Sequence, residues 1–561
     1  MAVGVTSGGR SSKLVLAAMI FAVSMTFIDQ TIVSIAAPEI QKHLGLTSTG
    51  VQWAINAYLL SLAALFAFGG RLGDTVGHRR MVTLGVVMFA AASGMCGLTP
   101  KGSLAEAWIV AFRVLQGAGG AIMFPAALAI VVQTFALRER GRALALFFGI
   151  AGGLTAVGPI LGGYLTQWTW RAIFWVNIPV AIIALALIVA SKPVTEFRPA
   201  RMDYRGLALI AGGVALSVFG FQQSVPWGWS NPATGACIAA GAVILIAFWF
   251  VELGTSSPLV QLSIFRIRAF LVENLVLAVS MTVFIPVFFF ASEYAQIALG
   301  KSPSEAGLYI LYFFIGFVIA AQIGGRMLDR GGAKRPVVLG CVIAAVGFWL
   351  WADKLTALSF GSQQIYIIIA GAGMGMMLGP ANTDAVNRAS TLSYGEASGI
   401  TQTVRNYAAS LGLAILGTIL VSQMRARLVT SFIAQGLPSS RAHAEAASIA
   451  QSAGGGGGGS GSTSAIPHFI RLDFAYATRS VLYVMAGIMA AAAIVAMRGL
   501  RRGVQKETAP QESWPEESWP QESWPEESRP QESRPQESRP EDLPRRAQES
   551  RPEDLPQRAQ S

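Results

Sequence analysis

Ionisable side chains are scarce in the long apolar runs of this sequence, and the few present mark where chemistry can occur. Asp29 stands in FIDQTIVSIAAP and Arg113 in AFRVLQGAGGAIMF. Glu273, Glu293, Asp384 and Arg405 occur in or beside later apolar runs. A carboxylate in hydrocarbon is costly as an anion, so it requires a partner, a wet cavity or a proton. Burial and a nearby guanidinium act in opposite senses on its proton affinity, which suits a site that loads and releases a proton as its surroundings change. Asp29 is therefore expected to carry a coupling proton and Arg113 to tune it; the plainer alternative is a static ion pair. The other four are secondary candidates, expected near helix ends where side chains snorkel outward.

These groups need a scaffold, and composition limits which. Of 561 residues, 53% are hydrophobic and 13% charged, against about 25% charged in soluble proteins. About fourteen windows reach the roughly 18–25 apolar residues that cross a bilayer, between Leu14 and Met497. The expectation is an all-α integral membrane protein. The first window follows Arg10 and Lys13 and contains Asp29, and it reads as a retained transmembrane helix rather than a cleaved signal. Asp29 then lies about 15 residues, some 22 Å, from the start of its helix.

The three cysteines, Cys96, Cys237 and Cys341, fall inside apolar spans, and the four histidines lack metal-ligand spacing. No metal site is expected, nor an enzyme, since GxxxxGK[ST] and HExxH are both missing. The formal charge of +11 is spread over alternate loops instead of forming a nucleic-acid surface. Arg71, Arg79 and Arg80 follow the second span, Arg326, Arg330, Lys334 and Arg335 the tenth, and Arg498, Arg501 and Arg502 the last. By the positive-inside rule both termini are cytoplasmic in a multi-pass protein of the cell membrane.

The loop GRLGDTVGHRR from Gly70 recurs as GRMLDRGGAKR from Gly325, and GAGGAIMFPA from Gly117 is echoed by GAGMGMMLGPA from Gly371. Two copies of a six-helix unit explain this if about two helices, near residues 206–221 and 233–251, were inserted between them. The expected domains are an N-terminal six-helix bundle at 1–190, inserted helices at 191–260 and a C-terminal six-helix bundle at 261–500. The last includes a long, flexible external loop at 424–474 with a glycine run. The repeats QESWP and QESRP at 501–561 read as a disordered cytoplasmic tail. Paired bundles of this kind rock about a midplane cavity, which implies solute transport.

The repeated loop resembles the cytoplasmic signature of the major facilitator superfamily, with Gly70, Asp74, Gly77 and Arg79 matching, and Asp329 and Arg330 in the second copy. Thr75 and His78 depart from its usual basic residues. The Asp29 and Arg113 segments look like motifs of the fourteen-helix drug:proton antiporter family. GLTAVGPILGGYL, with Gly149 upstream and Gly153, Gly158, Pro159, Gly162 and Gly163 within it, is similar to the antiporter motif of exporters. WRAIFWVNIPV, MDYRG and EASGITQTVRN also resemble that group.

The resemblance implies a major facilitator fold of two six-helix bundles plus two inserted helices, and proton-driven export of a lipophilic drug or antibiotic that confers resistance. It implies a conformational latch at Asp74 and a pliable seal in the fifth helix. Partners would be a small lipophilic substrate, protons and membrane lipid, with no nucleic acid and no cofactor, in a monomer driven by the proton gradient. One proton exchanged for a neutral solute supplies about 2.3 kcal/mol per 100 mV plus about 1.4 kcal/mol per pH unit, which favours neutral or weakly charged substrates over dicationic dyes. The competing readings are an uptake symporter and a non-transporting receptor or scaffold. Phe284, Phe288, Phe289 and Phe290, being adjacent, are expected mostly to meet lipid.

Overall fold

The computed structural model describes residues 9–46, 48–135, 137–193, 203–255, 258–388, 394–454, 466–501 and 503, all within the first of two compact units, Met1–Lys506. Among them there is no strand. The N-terminal helices are α1 (Gly9–Leu44), α2 (Ser48–Val76), α3 (His78–Gly97), α4 (Ala105–Thr134), α5 (Leu137–Trp168), the single turn α6 (Ala172–Trp175) and α7 (Asn177–Ser191). After the pair α8 (Tyr204–Trp227) and α9 (Pro232–Gly254) come α10 (Arg268–Ile297), α11 (Pro303–Gly331), α12 (Lys334–Lys354), α13 (Gln364–Arg388), α14 (Tyr394–Ala434), α15 (Ser439–Gly454) and α16 (His468–Gly499).

Among the described residues thirteen helices are long and apolar enough to cross a membrane. α5, 32 residues long, stands outside that set and packs against α1 and α11. Local sequence sets the helix ends. The Asp203 carboxylate of the MDYRG segment accepts the Gly206 amide at 2.9 Å, and Asn231 caps α9 with Pro232 at its first turn. Ser302 and Glu305 form a capping box at the start of α11.

The duplication is visible in packing. α4 lies between α2 and α3, and α13 lies between α11 and α12. The glycines of the two echoed segments make this possible. A Cβ on Gly119 would meet the Phe89 amide at 2.7 Å, and one on Gly373 would collide with the Ala344 backbone. Gly77 and Gly332, at the same register of the two loops, both take positive φ (106° and 79°), ending α2 and α11 with a conformation glycine adopts without steric cost. α1 packs on α5 as α10 packs on α14.

Buried apolar residues of α1–α7 form two clusters, and those of α10–α16 form another. Contacts between the two groups run along α2–α14 and α5–α11. A separate cluster joins α8 and Phe248 of α9 to Ala63 and Ala67 of α2 and to Ala397 and Ile400 of α14.

Two expectations change. The segment read as an external loop is helical over much of its length: α14 runs on to Ala434, 41 residues in all, and α15 occupies Ser439–Gly454. Phe284, Phe288 and Phe290 do not meet lipid. They are buried, and Phe288 stacks on Phe314 at 5.0 Å between centroids, because α10 is surrounded by α11, α13, α14 and α16. Residues 455–462 of the glycine run, the repeats after 503, Arg198, Arg201 and Met202 lie outside the described residues.

Candidate functional site

α1 and α4 cross where Asp29 faces Arg113, and the structure brings the two together. Arg113 Nη1 donates to Asp29 Oδ2 at 2.5 Å, and the side chains are 1% and 0% exposed. Gln116, one turn after Arg113, completes the group: its Nε2 donates to Asp29 Oδ1 at 2.8 Å while its Oε1 accepts from Arg113 Nη1 at 2.8 Å. Arg113 Nε donates to the Ala54 carbonyl of α2 at 2.8 Å, and its guanidinium lies 4.4 Å from the centroid of the Tyr58 ring. Both carboxylate oxygens and the cation are thus satisfied in a fully buried position, the condition for tolerating a buried charge pair.

The spacing of Arg113 and Gln116, three residues on one helix, was the available signal for the amide. Sequence reasoning missed it because glutamine does not titrate.

α5 holds the Asp29 segment in place. A Cβ on Gly158 would lie 2.8 Å from the Ile28 carbonyl and would collide with the Thr31 hydroxyl. One on Gly162 would press on the Ile32 carbonyl at 3.0 Å. Glycine at these two positions therefore lets α5 approach the backbone on both sides of Asp29. Gly163 is also buried, and α5 continues as helix through Gly149, Gly153 and Pro159.

The WRAIFWVNIPV motif is a clamp on the end of α3. Arg171 donates to the Gly97 and Thr99 carbonyls at 2.5 and 3.0 Å, and Asn177 Nδ2 donates to Ser93 Oγ at 3.0 Å.

In the first signature loop Asp74 Oδ1 lies 3.3 Å from His78 Nε2. His78 is thus one partner of this acid, at a position that departs from the family pattern. Gly70 and Gly77 are buried, Arg79 is half-buried and Arg80 exposed. In the second copy Asp329 and Arg330 are both exposed.

The secondary acids do not snorkel. Glu273 and Glu293 on α10 and Asp384 on α13 are buried, each on the cluster opposite Asp29. Glu293 Oε2 has no hydrogen-bond partner among the described residues.

The two groups of helices enclose a cavity of about 20 Å³, room for roughly one water and far below the roughly 300–1,000 Å³ of a drug site. Gln30 lines it and Asp29 does not. The seam is closed at opposite ends, by Gln167 Nε2 donating to Ser304 Oγ at 2.9 Å between α5 and α11, and by Gly399 of α14 against the Phe66 carbonyl of α2, where a Cβ would stand only 2.8 Å away. This is an occluded arrangement.

Comparison with known proteins agrees with this architecture. The family described as Major Facilitator Superfamily matches residues 19–413. The tetracenomycin C resistance and export protein of Streptomyces glaucescens is 33% identical over 73% of this chain and 76% of its own length. The cephamycin export protein of Amycolatopsis lactamdurans is 30% identical over 74% and 87%. Among solved structures, the xylose transporter XylE from E. coli, in a partially occluded inward-open conformation, covers 88% of this chain and 99% of its own with a TM-score of 0.54 at 11% identity, a likeness of fold. With motif, helix packing and family match in agreement, this multi-pass membrane protein belongs to the Major Facilitator Superfamily.

Proposed function

We propose that the chain exports a lipophilic drug or antibiotic across the cell membrane in exchange for protons and so confers resistance. The observation that carries this is the enclosed Asp29–Arg113–Gln116 group, wedged by the Gly158 and Gly162 contacts of α5. In the occluded arrangement Asp29 is cut off from water and held as the partner of Arg113. When α1 and α4 separate toward the outside, a proton takes the place of the guanidinium; reversal toward the inside returns the cation and expels the proton. The names of the relatives, export and resistance proteins for natural products, support the direction of flux.

The reading includes two six-helix bundles at 1–190 and 261–500 around inserted helices at 191–260, with α5 as the fourteenth span. Both termini are cytoplasmic, the protein acts as a monomer, and the proton gradient replaces any cofactor. The test is efflux of a panel of lipophilic compounds from a pump-deficient host expressing wild type or Asp29→Asn at matched surface levels, with and without a protonophore. Efflux that stops with the protonophore and fails in the variant supports the reading. Proton-driven accumulation inward would transfer the chain to the uptake symporters.

A further inference from the structure

Among the described residues Arg405, on α14, is the one charged residue in the wall of the central cavity. It has no carboxylate partner among the described residues. Its Nε is enclosed without a hydrogen bond among the described residues, and its Nη2 donates only weakly to the Met281 thioether at 3.9 Å. A guanidinium in that condition is costly, and membrane proteins that keep one use it. Facing it across the cavity is an aromatic wall, with Phe124 5.8 Å from Phe27 and 5.9 Å from Phe66 between ring centroids. The amide side chains of Gln30, Gln402 and Asn406 complete the polar part of the lining. The acid that could attract a cation, Asp29, has both oxygens engaged by Arg113 and Gln116 and does not line the cavity.

We propose that Arg405 recognises the exported solute, and that this solute is a lipophilic aromatic acid whose ionised oxygen pairs with the guanidinium while its rings pack on Phe27, Phe66 and Phe124. The proposal rests on the export reading above and narrows its substrate class. Coupling favours it: an anion leaving as one proton enters carries two charges in the favourable sense. That amounts to about two thousandfold concentration per 100 mV, against about fiftyfold for a neutral solute and no electrical gain for a monovalent cation.

The test uses three probes sharing one fluorescent ring system: anthracene carboxylate, its methyl ester and its trimethylammonium analogue. Their uptake into everted membrane vesicles under an imposed proton gradient is measured for wild type, Arg405→Gln and Arg405→Lys. Wild type should prefer the acid to the ester. Arg405→Gln should lower that preference by about tenfold or more, the value of a charge-assisted hydrogen bond, and Arg405→Lys should retain part of it. Wild type moving the ester or the cation as well as the acid overturns the proposal and leaves export standing. So does an equal proportional fall of acid and ester flux in Arg405→Gln that leaves the acid-to-ester ratio unchanged, which would make Arg405 a conformational contact.

If wild-type vesicles move none of the probes, the compound panel above decides export, and thermal stabilisation of the purified protein by the same probes decides the recognition. Stabilisation by the acid that is lost in Arg405→Gln and kept in Arg405→Lys supports it. Equal stabilisation by all three, or by none, overturns it.

Discussion

Removing the charge of Asp29 should separate its structural role from the transport role proposed for it. Asp29→Asn preserves shape but leaves Arg113 a buried cation held by the Ala54 carbonyl and Gln116 alone. Breaking a buried pair from one side costs about 3–5 kcal/mol, and Arg113→Met should cost a similar amount by stranding the carboxylate. The double variant removes both charges together. Its remaining penalty is the Gln116 amide oxygen left without Arg113, about 1–3 kcal/mol by the cost of an unsatisfied buried polar group, since the Ala54 carbonyl lies within helix α2. The coupling energy in a double-mutant cycle should therefore be at least about 3 kcal/mol. Unfolding in detergent measures the stability arm, and protonophore-sensitive efflux measures the function arm. The expected result is that the double variant regains most of the stability and none of the coupled export. Additive losses would show that the pair is not coupled, and restored protonophore-sensitive export would show that Asp29 does not carry the proton.

Gly158→Val should drive a branched side chain into Thr31 and the Ile28 carbonyl, lowering stability by about 1–3 kcal/mol or more and stopping efflux, with melting and transport measured side by side. Gly77→Ala, at φ 106° and ψ 126°, should cost about 1–3 kcal/mol in the same melting assay. Arg171→Ala should lower stability by a similar amount through its two lost carbonyl bonds without altering the order of preference among transported compounds. Raising the outside pH by one unit should reduce the steady-state gradient of the exported compound about tenfold for each coupled proton, read from accumulation ratios at fixed membrane potential.

Most of the scaffold was legible because the bilayer fixes helix length and because two signature loops in register reveal a duplication. Gly77 and Gly332 take positive φ at the same register in both copies. Asp29 and Arg113 were legible as a pair since hydrocarbon makes each conspicuous. Gln116 was not, because an amide in a polar-tolerant, glycine-rich helix carries no such penalty signal. The phenylalanines of α10 were misread for a geometric reason: adjacent residues point to different faces, and that implies lipid only if some face is open. The distant helices that cover Phe284, Phe288 and Phe290 leave no mark in the local sequence of α10. Glu273, Glu293 and Asp384 were likewise placed near helix ends by counting residues, whereas their burial is set by helices elsewhere in the chain.

Helix α8 touches both sides of the α2–α14 seam. The Phe219 ring lies 5.3 Å from that of Trp53 on α2, and Ser224 Oγ lies 3.3 Å from Thr418 Oγ1 on α14. A rod fastened to both leaves of a door can follow only one of them. Each opening of that seam must therefore release one of these fastenings, while α9, packed chiefly on α8, is carried along as a passenger. A fluorophore on the α8–α9 turn, paired in turn with one on α2 and one on α14, would report which leaf the hairpin follows. It would give a clock for the transport cycle at a distance from both the proton site and the solute.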